Sequence, residues 1–404
     1  MTEDVNDKNY KPDTLLAHLG RDPQRDRGMV NPPVYHASTI LFDTVDEFEA
    51  GNSGKIEKGQ VFYGRYGTPT TFDLEDAVAR LEGGYGAIAV PTGLAAISAT
   101  LASFAGAGDH LLVTDSVYEP VRNICHQFLE RFGVETTYYD PALGAGVAAL
   151  IRPNTRVVYM ESPGSLTFEV QDVPAIAAAA RAAGAVAVVD NTWATPLHFK
   201  PFAHGVDVAV HAGTKYIVGH SDAMLGLIDT TEEHFKRIRR TVVLMGHAAA
   251  PDDVYLALRG LRTLSVRLAR HQEVGLTLAR WLQGRPEVAR VLHPALPEHP
   301  GHDLWRRDFT GACGLFGVVL KPCPRDAVTA MLDGLALFGM GASWGGYESL
   351  IRLEYPARVR TATTWNPPGP TLRIHAGLED PEDLIADLEA GFDRLNSTTQ
   401  GANP

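Results

Sequence analysis

Cysteine is scarce: Cys125, Cys313 and Cys323 are the three in 404 residues, too few for a disulfide framework. None sits at the CxxC spacing of a zinc or redox site, so no metal is expected, and a reducing, cytoplasmic setting fits best. Positive charge is also short. Against 48 acidic residues stand 36 lysines and arginines, a net charge of -12, which disfavours a phosphate-backbone partner such as nucleic acid. Long hydrophobic runs are absent. The most apolar region, AIAAAARAAGAVAVVD at 175–190, is broken by Arg181 and Gly184, short of the ~20 residues a membrane span needs. The start, MTEDVNDKNYK, lacks the basic and apolar regions of a signal peptide, so export is not expected. No GxGxxG follows a strand-like run, which excludes a nicotinamide-binding Rossmann unit.

What is present is the pattern of a large globular α/β chain. Short apolar runs AIAV, HLLV, RVVYM, AVAVV, VDVAV and MLGLI alternate with helix-like segments such as 73–82 and 174–183. That alternation predicts a mainly parallel sheet covered on both faces over residues 61–255. Residues 1–60, with the turn-rich VNPPVYHAST and GNSGKIEKG, read as an extended N-terminal arm that reaches a neighbour. Beyond 255, Leu261, Leu264, Leu268, Gly275, Leu278 and Leu282 step by three, four or seven, one face of a long helix joining two domains. Strand-like LFGVVL and TLRIHAGL follow, then a final helix capped by Asp380, with Pro381 in its first turn and Ile385, Leu388, Phe392 and Leu395 facing inward. Residues 256–404 are therefore expected to form a smaller α+β domain.

In an open parallel sheet, ligands bind outside the carboxyl ends of the strands, so residues just after each apolar run matter most. After AIAV comes Pro-Thr-Gly-Leu opening a helix, where the N–H groups of Gly93 and Leu94 favour a phosphate. Tyr118 follows HLLVTD, and a flat ring there can cover a planar heterocycle. Asp190 ends AVAVV, and Thr214 and Lys215 follow VDVAV. Taken singly, each has a bland reading: a helix start, a packed ring, a satisfied core aspartate, a solvated lysine. Together they make a phosphate cradle, a carboxylate for a ring nitrogen, an aromatic cover and a lysine able to form a Schiff base. Those are the parts that pyridoxal 5'-phosphate requires, with Lys215 as its covalent anchor and Asp190 holding the pyridine nitrogen protonated.

The stretches FYGRYGTPT (62–70), LEGGYGAIAVPTGLAA (81–96), ESPGSLTFEVQDVP (161–174), VDNTWATPL (189–197), GTKYIVGHSDAM (213–224), SWGGYESL (343–350) and LRIHAGLED (372–380) go further. Through them the sequence closely resembles the transsulfuration enzymes of the Cys/Met-metabolism PLP-dependent family over most of its length. The resemblance implies an aspartate aminotransferase-type, fold type I architecture. It implies that Lys215 carries the cofactor, Asp190 pairs with its ring nitrogen, Tyr118 stacks on the ring, and Gly93, Leu94 and Thr214 hold the phosphate. Tyr63 and Arg65 would reach the phosphate of a neighbouring subunit, making a homo-oligomer, a dimer of dimers, with shared sites. Arg373 would grip the substrate's alpha-carboxylate beside Ser343 and Trp344, a bidentate task suited to guanidinium. Ser162 and Asn191 would shape the wall. The implied reaction is β-elimination of L-cystathionine to L-homocysteine, pyruvate and ammonia. Lys215 would be the base, and Tyr118 or Tyr63 would assist proton transfer. Related C–S lysis of cysteine or S-alkylcysteines, γ-cleavage or γ-synthesis, or a regulatory PLP-binding scaffold are the alternatives. Gly341 and Ala342 are smaller than the β-lyase pattern leads one to expect.

Overall fold

The computed structural model describes residues 10–401; the acidic start, residues 1–9, lies outside the described residues. Seven strands form the main sheet: β1 (Gly86–Val90), β2 (His110–Thr114), β3 (Glu135–Tyr139), β4 (Thr155–Glu161), β5 (Val186–Asp190), β6 (Val208–Ala212) and β7 (Gly226–Thr230). Their order is β1-β7-β6-β5-β4-β2-β3, with β7 antiparallel to both neighbours and β2 to β6 running parallel. The expected mainly parallel α/β sheet of a fold type I enzyme is present. Every residue of β1, β2 and β7 is buried, as helices on both faces demand. The sequence pattern missed β3, ETTYY, because on this edge strand only Tyr139 is buried and the polar residues before it are partly exposed.

A second sheet, wholly antiparallel, comprises β8 (Val288–Leu292), β9 (Leu315–Leu320), β10 (Leu350–Glu354) and β11 (Thr371–His375) in the order β10-β11-β9-β8. Its core of Phe316, Ile351, Ile374, Leu388 and Phe392 is separate from the two clusters that flank the main sheet.

The joining helix differs from expectation. It breaks into Pro251–Leu261 and Leu264–Gln283, although Leu261, Leu264, Leu268, Gly275, Leu278 and Leu282 are all buried as expected. The physical reason lies at Gly260, whose carbonyl accepts from the Thr263 N–H at 3.2 Å, a tighter turn, and from Arg267 Nη2 at 2.8 Å. A Cβ at Gly260 would come within 2.2 Å of the Ile217 carbonyl, so the chain runs hard against the Lys215 turn there. In the final helix, Pro381–Gly401, Asp380 Oδ1 accepts from the Glu382 N–H at 2.9 Å, and Leu388, Phe392 and Leu395 face inward. Leu384 is fully buried and Ile385 only half-buried, a one-residue rotation of the expected face. The N-terminal segment is not extended throughout: helix Pro12–His18 buries Leu16, Leu19 just beyond it is buried too, and Arg262 Nη1 donates to the Leu16 carbonyl at 2.7 Å. From Met29 to Tyr63 the chain leaves Leu41 89 % and Val45 72 % exposed.

Candidate active site

The carboxyl ends of β1, β2, β4, β5 and β6 meet the start of β7, and loops from the second sheet close over them. Helix Gly93–Phe104 starts here, and its N-cap Thr92 Oγ1 accepts from the Ala95 N–H at 3.0 Å. That leaves the N–H groups of Gly93 and Leu94 without an intrahelical acceptor, aimed out of the helix start. Glycine is required at 93, since a Cβ would lie 2.6 Å from Ala212 Cβ; at Gly226 it would lie 2.1 Å from the Thr92 carbonyl. Side-chain-free backbone thus brings the helix start against the turn that follows β6.

Lys215 occupies that turn. Its N–H donates to the Ala212 carbonyl at 3.0 Å and its own carbonyl accepts from Gly219 at 2.7 Å. Lys215 Nζ donates to Ser343 Oγ at 2.6 Å and lies 5.4 Å from the centre of the Trp344 ring. Gly345, with φ +88, lets the SWGG loop come this close: a Cβ on it would sit 3.0 Å from the Lys215 backbone. Burial lowers the Lys215 ammonium from 10.5 to about 8, Arg373 pushes the same way, and Asp190 opposes. An amine poised there loses its proton readily near neutrality. The Thr214 hydroxyl donates to the Leu225 carbonyl at 3.2 Å and accepts from the Leu225 N–H at 2.9 Å, so it ties the β6 and β7 ends together.

Asp190 stands at the tip of β5, in register with Glu161 at the tip of β4. The Thr192 N–H donates to Asp190 Oδ1 at 2.9 Å. Burial raises the Asp190 carboxyl; the hydrogen bonds of Thr192 and the charges of His211 and Lys215 oppose this. Glu161 is pushed much further, well above the carboxylate range, by burial and by the charge on Asp190. Burial raises both carboxyls, Glu161 much the further, so of the two Asp190 is the readier to carry charge. Glu161 Oε2 accepts the Tyr118 N–H at 2.7 Å, which seats that tyrosine, 46 % exposed, over the mouth. The Tyr118 hydroxyl is raised by burial and by the same two carboxyls. Glu161 was not singled out in the sequence, although its motif was; only the register with Asp190 reveals it.

Arg373 enters from β11. Its Nη2 donates to the carbonyls of Gly341 and Ser343, both at 3.1 Å, and its Nε lies 3.7 Å from Glu354 Oε1. Burial lowers it to about 10. One edge of the guanidinium is thus fixed by the SWGG loop, whose Ser343 also receives Lys215. Arg373, Ser343, Trp344, Lys215, Asp190 and Tyr118 are one cluster. Ser162 Oγ accepts from the Gln171 N–H at 3.0 Å, and Asn191 Nδ2 donates to Glu82 Oε1 at 2.7 Å; both side chains are buried and bonded into the interior behind the strand ends.

Tyr63 and Arg65 lie elsewhere. Arg65 Nη1 donates to the Val243 carbonyl at 2.6 Å and its guanidinium is 4.8 Å from the centre of the Tyr66 ring, while Tyr63 is 40 % exposed. Among the described residues neither is bonded to Lys215, Asp190, Tyr118 or Arg373. Among these residues there is also no group of three or more metal-ligating side chains, and no helix is long and apolar enough to cross a membrane.

The arrangement suits a phosphorylated pyridine aldehyde. A helix start with free N–H groups, a buried carboxylate fit for a ring nitrogen, an easily deprotonated amine and a fixed guanidinium gather around the strand ends. Comparison with known proteins agrees. A family profile described as Cys/Met metabolism PLP-dependent enzyme matches residues 13–393. The chain is 46% identical to a cystathionine beta-lyase of Salmonella typhimurium, over 95% of this chain and 98% of that protein. It is 44% identical to cystathionine beta-lyase MetC of Escherichia coli, over 95% and 99%. The crystal structure of metB from Corynebacterium glutamicum superposes with a TM-score of 0.87 at 31% identity, covering 96% of this chain and 99% of that one.

Proposed function

The chain belongs to the Cys/Met metabolism PLP-dependent enzymes, and from that premise we propose that it splits L-cystathionine by β-elimination into L-homocysteine, pyruvate and ammonia. The single observation carrying the reading is Lys215 Nζ, lowered to about 8 and bonded to Ser343 in the same cluster as Asp190 and Arg373.

Pyridoxal 5'-phosphate, when bound, supplies the electron sink for the carbanion at the substrate's alpha carbon. Gly93 and Leu94 would hold its phosphate, Asp190 its ring nitrogen, Tyr118 its face and Lys215 its aldehyde carbon. Arg373 takes the substrate's alpha-carboxylate on the edge its bonds to Gly341 and Ser343 leave free, which fixes the alpha carbon relative to Lys215. Lys215 Nζ, once neutral, removes the alpha proton, and the resulting ammonium gives a proton to the sulfur as the Cβ–S bond breaks. Homocysteine leaves as its thiol. Water then converts the three-carbon remainder to pyruvate and ammonia. Ser343 Oγ, 2.6 Å from Nζ, holds the amine in line throughout.

We extend the reading to the assembly. Tyr63 and Arg65 complete the phosphate site of a neighbouring subunit in a cytoplasmic homotetramer built as a dimer of dimers, with residues 61–255 as the cofactor domain and 256–404 as the smaller one. What supports this is their separation from the chain's own cluster. The exposed apolar residues Leu41, Val45 and Leu244, the last next to the Val243 carbonyl that anchors Arg65, support it too. The deciding assay follows pyruvate and free thiol from cystathionine, cysteine and methionine in parallel, with 2-oxobutyrate as the marker of γ-cleavage. Pyruvate from cystathionine as the main product is expected. Dominant 2-oxobutyrate would replace β- with γ-elimination, and no turnover would leave a binding protein.

A further inference from the structure

We infer that His211, held by Glu82, is a positioning residue: the buried cation on the protein side of Asp190 that keeps this carboxylate charged for the cofactor's ring nitrogen. The inference deepens the site reading above and rests on it.

His211 lies in β6 with its side chain 1% exposed, and its Nε2 is 3.2 Å from Glu82 Oε1, itself on a side chain with 0% exposure. Glu82 is the last residue of helix Pro69–Glu82, and Gly83 with φ 92 turns the chain away immediately after it. The same Glu82 oxygen accepts from Asn191 Nδ2 at 2.7 Å, the residue next to Asp190. Thr192, one further on, gives its N–H to Asp190 Oδ1 at 2.9 Å and accepts the Ala212 N–H on its hydroxyl at 2.9 Å. Residues 190–192 are thus laced to the pair 211–212, with Glu82 behind both.

Charge explains why. Asp190 is crowded by Glu161 on β4, and Asp229 on β7 adds another carboxyl near His211. Asp229, like Glu161, is pushed well above the carboxylate range by burial and by a neighbouring carboxylate, here Glu82. Of the three carboxyls Asp190 is raised the least. Burial alone would lower the His211 imidazolium; the charge of Glu82, 3.2 Å from its Nε2, with Asp190 and Asp229, outweighs it and raises it. Of the two cations that favour an ionised Asp190, His211 acts more strongly than Lys215. Lys215 must also become neutral to react, and its support for Asp190 then disappears. His211 remains.

The test uses the cofactor-loaded protein with His211→Gln and Glu82→Gln, each keeping shape while removing one charge. The readouts are the dissociation constant for pyridoxal 5'-phosphate, the pH midpoint of the visible absorption band, and the split between kcat and KM. Expected are a dissociation constant weakened about tenfold or more and a band midpoint moved by about one pH unit or more. The fall in kcat should exceed any change in KM, because the carboxyl grip of Arg373 is untouched. Adding Asp190→Asn to His211→Gln should cost much less than it does in the wild type. Variants that melt earlier yet keep wild-type affinity and midpoint would overturn the inference, reducing the pair to a core ion pair. If His211→Gln does not fold, Glu82→Gln decides. In the wild type, a neutral His211 ring in ¹⁵N spectra at pH 7 would overturn it independently. A wild-type protein with no Lys215-dependent band would overturn the site reading itself.

Discussion

Because burial lowers the Lys215 ammonium to about 8, addition of pyridoxal 5'-phosphate to the cofactor-free protein has a defined pH course. An amine attacks an aldehyde only when neutral. At pH 7 about one Lys215 in ten is neutral, and at pH 8 about half; a lysine left at 10.5 would be neutral in only about three of ten thousand molecules at pH 7. The site therefore gains about 300-fold in reactive amine at pH 7 over a solvated lysine. Stopped-flow absorbance after mixing gives the rate, and borohydride trapping with peptide mass analysis confirms the residue. The rate should climb about tenfold per pH unit below pH 7.5 and level off by about pH 9. The neighbours fix the sign of any shift. Arg373→Met removes a like charge and should move the midpoint up; Asp190→Asn removes the opposing carboxylate and should move it down. A rate that still climbs through pH 10, as for a free lysine derivative, refutes the argument, and so does a downward shift in Arg373→Met.

Arg373→Lys keeps charge but cannot meet the Gly341 and Ser343 carbonyls and still offer two parallel donors; losing one charge-assisted bond of about 1.5–3 kcal/mol should raise KM for cystathionine about 10- to 100-fold. An unchanged KM removes Arg373 from the substrate site. Gly345→Ala places a Cβ 3.0 Å from the Lys215 backbone at a φ of +88, so the SWGG loop must retreat and the bond from Lys215 to Ser343 must lengthen. Both Tm and kcat/KM should fall, and wild-type kinetics would show the close approach to be dispensable. Lys215→Ala and Tyr63→Phe/Arg65→Ala chains, each inactive or weakened alone, should recover activity when mixed as oligomers; no recovery defeats the shared site.

The main sheet was legible because parallel strands buried on both faces leave continuous apolar runs, and the residues after them, Gly93, Tyr118, Asp190 and Lys215, could be collected by rule. Two of the antiparallel strands were not. β10, LIRLE, alternates apolar residues with Arg352 and Glu354, which pair with each other at 2.8 Å, so it looks like surface until β11 is laid beside it. Arg373 and Ser343 were reached only through resemblance, since their partners come from distant segments. His211 stands four residues before Lys215, yet its meaning depends on Glu82, 129 positions earlier and joined to it only by the sheet. The break at Gly260 was hidden too, because a helical face reads the same across a two-residue interruption when the packing partner is unknown.

Gly345 carries one more consequence. The backbone approach it permits joins the 343–345 loop to the turn that follows β6, so the burial that lowers this amine needs both segments in place. While the chain is still being synthesised, Lys215 is an ordinary protonated lysine, indifferent to stray aldehydes. Only when the last third of the polypeptide has docked does it become receptive, which makes cofactor capture a report that folding is complete.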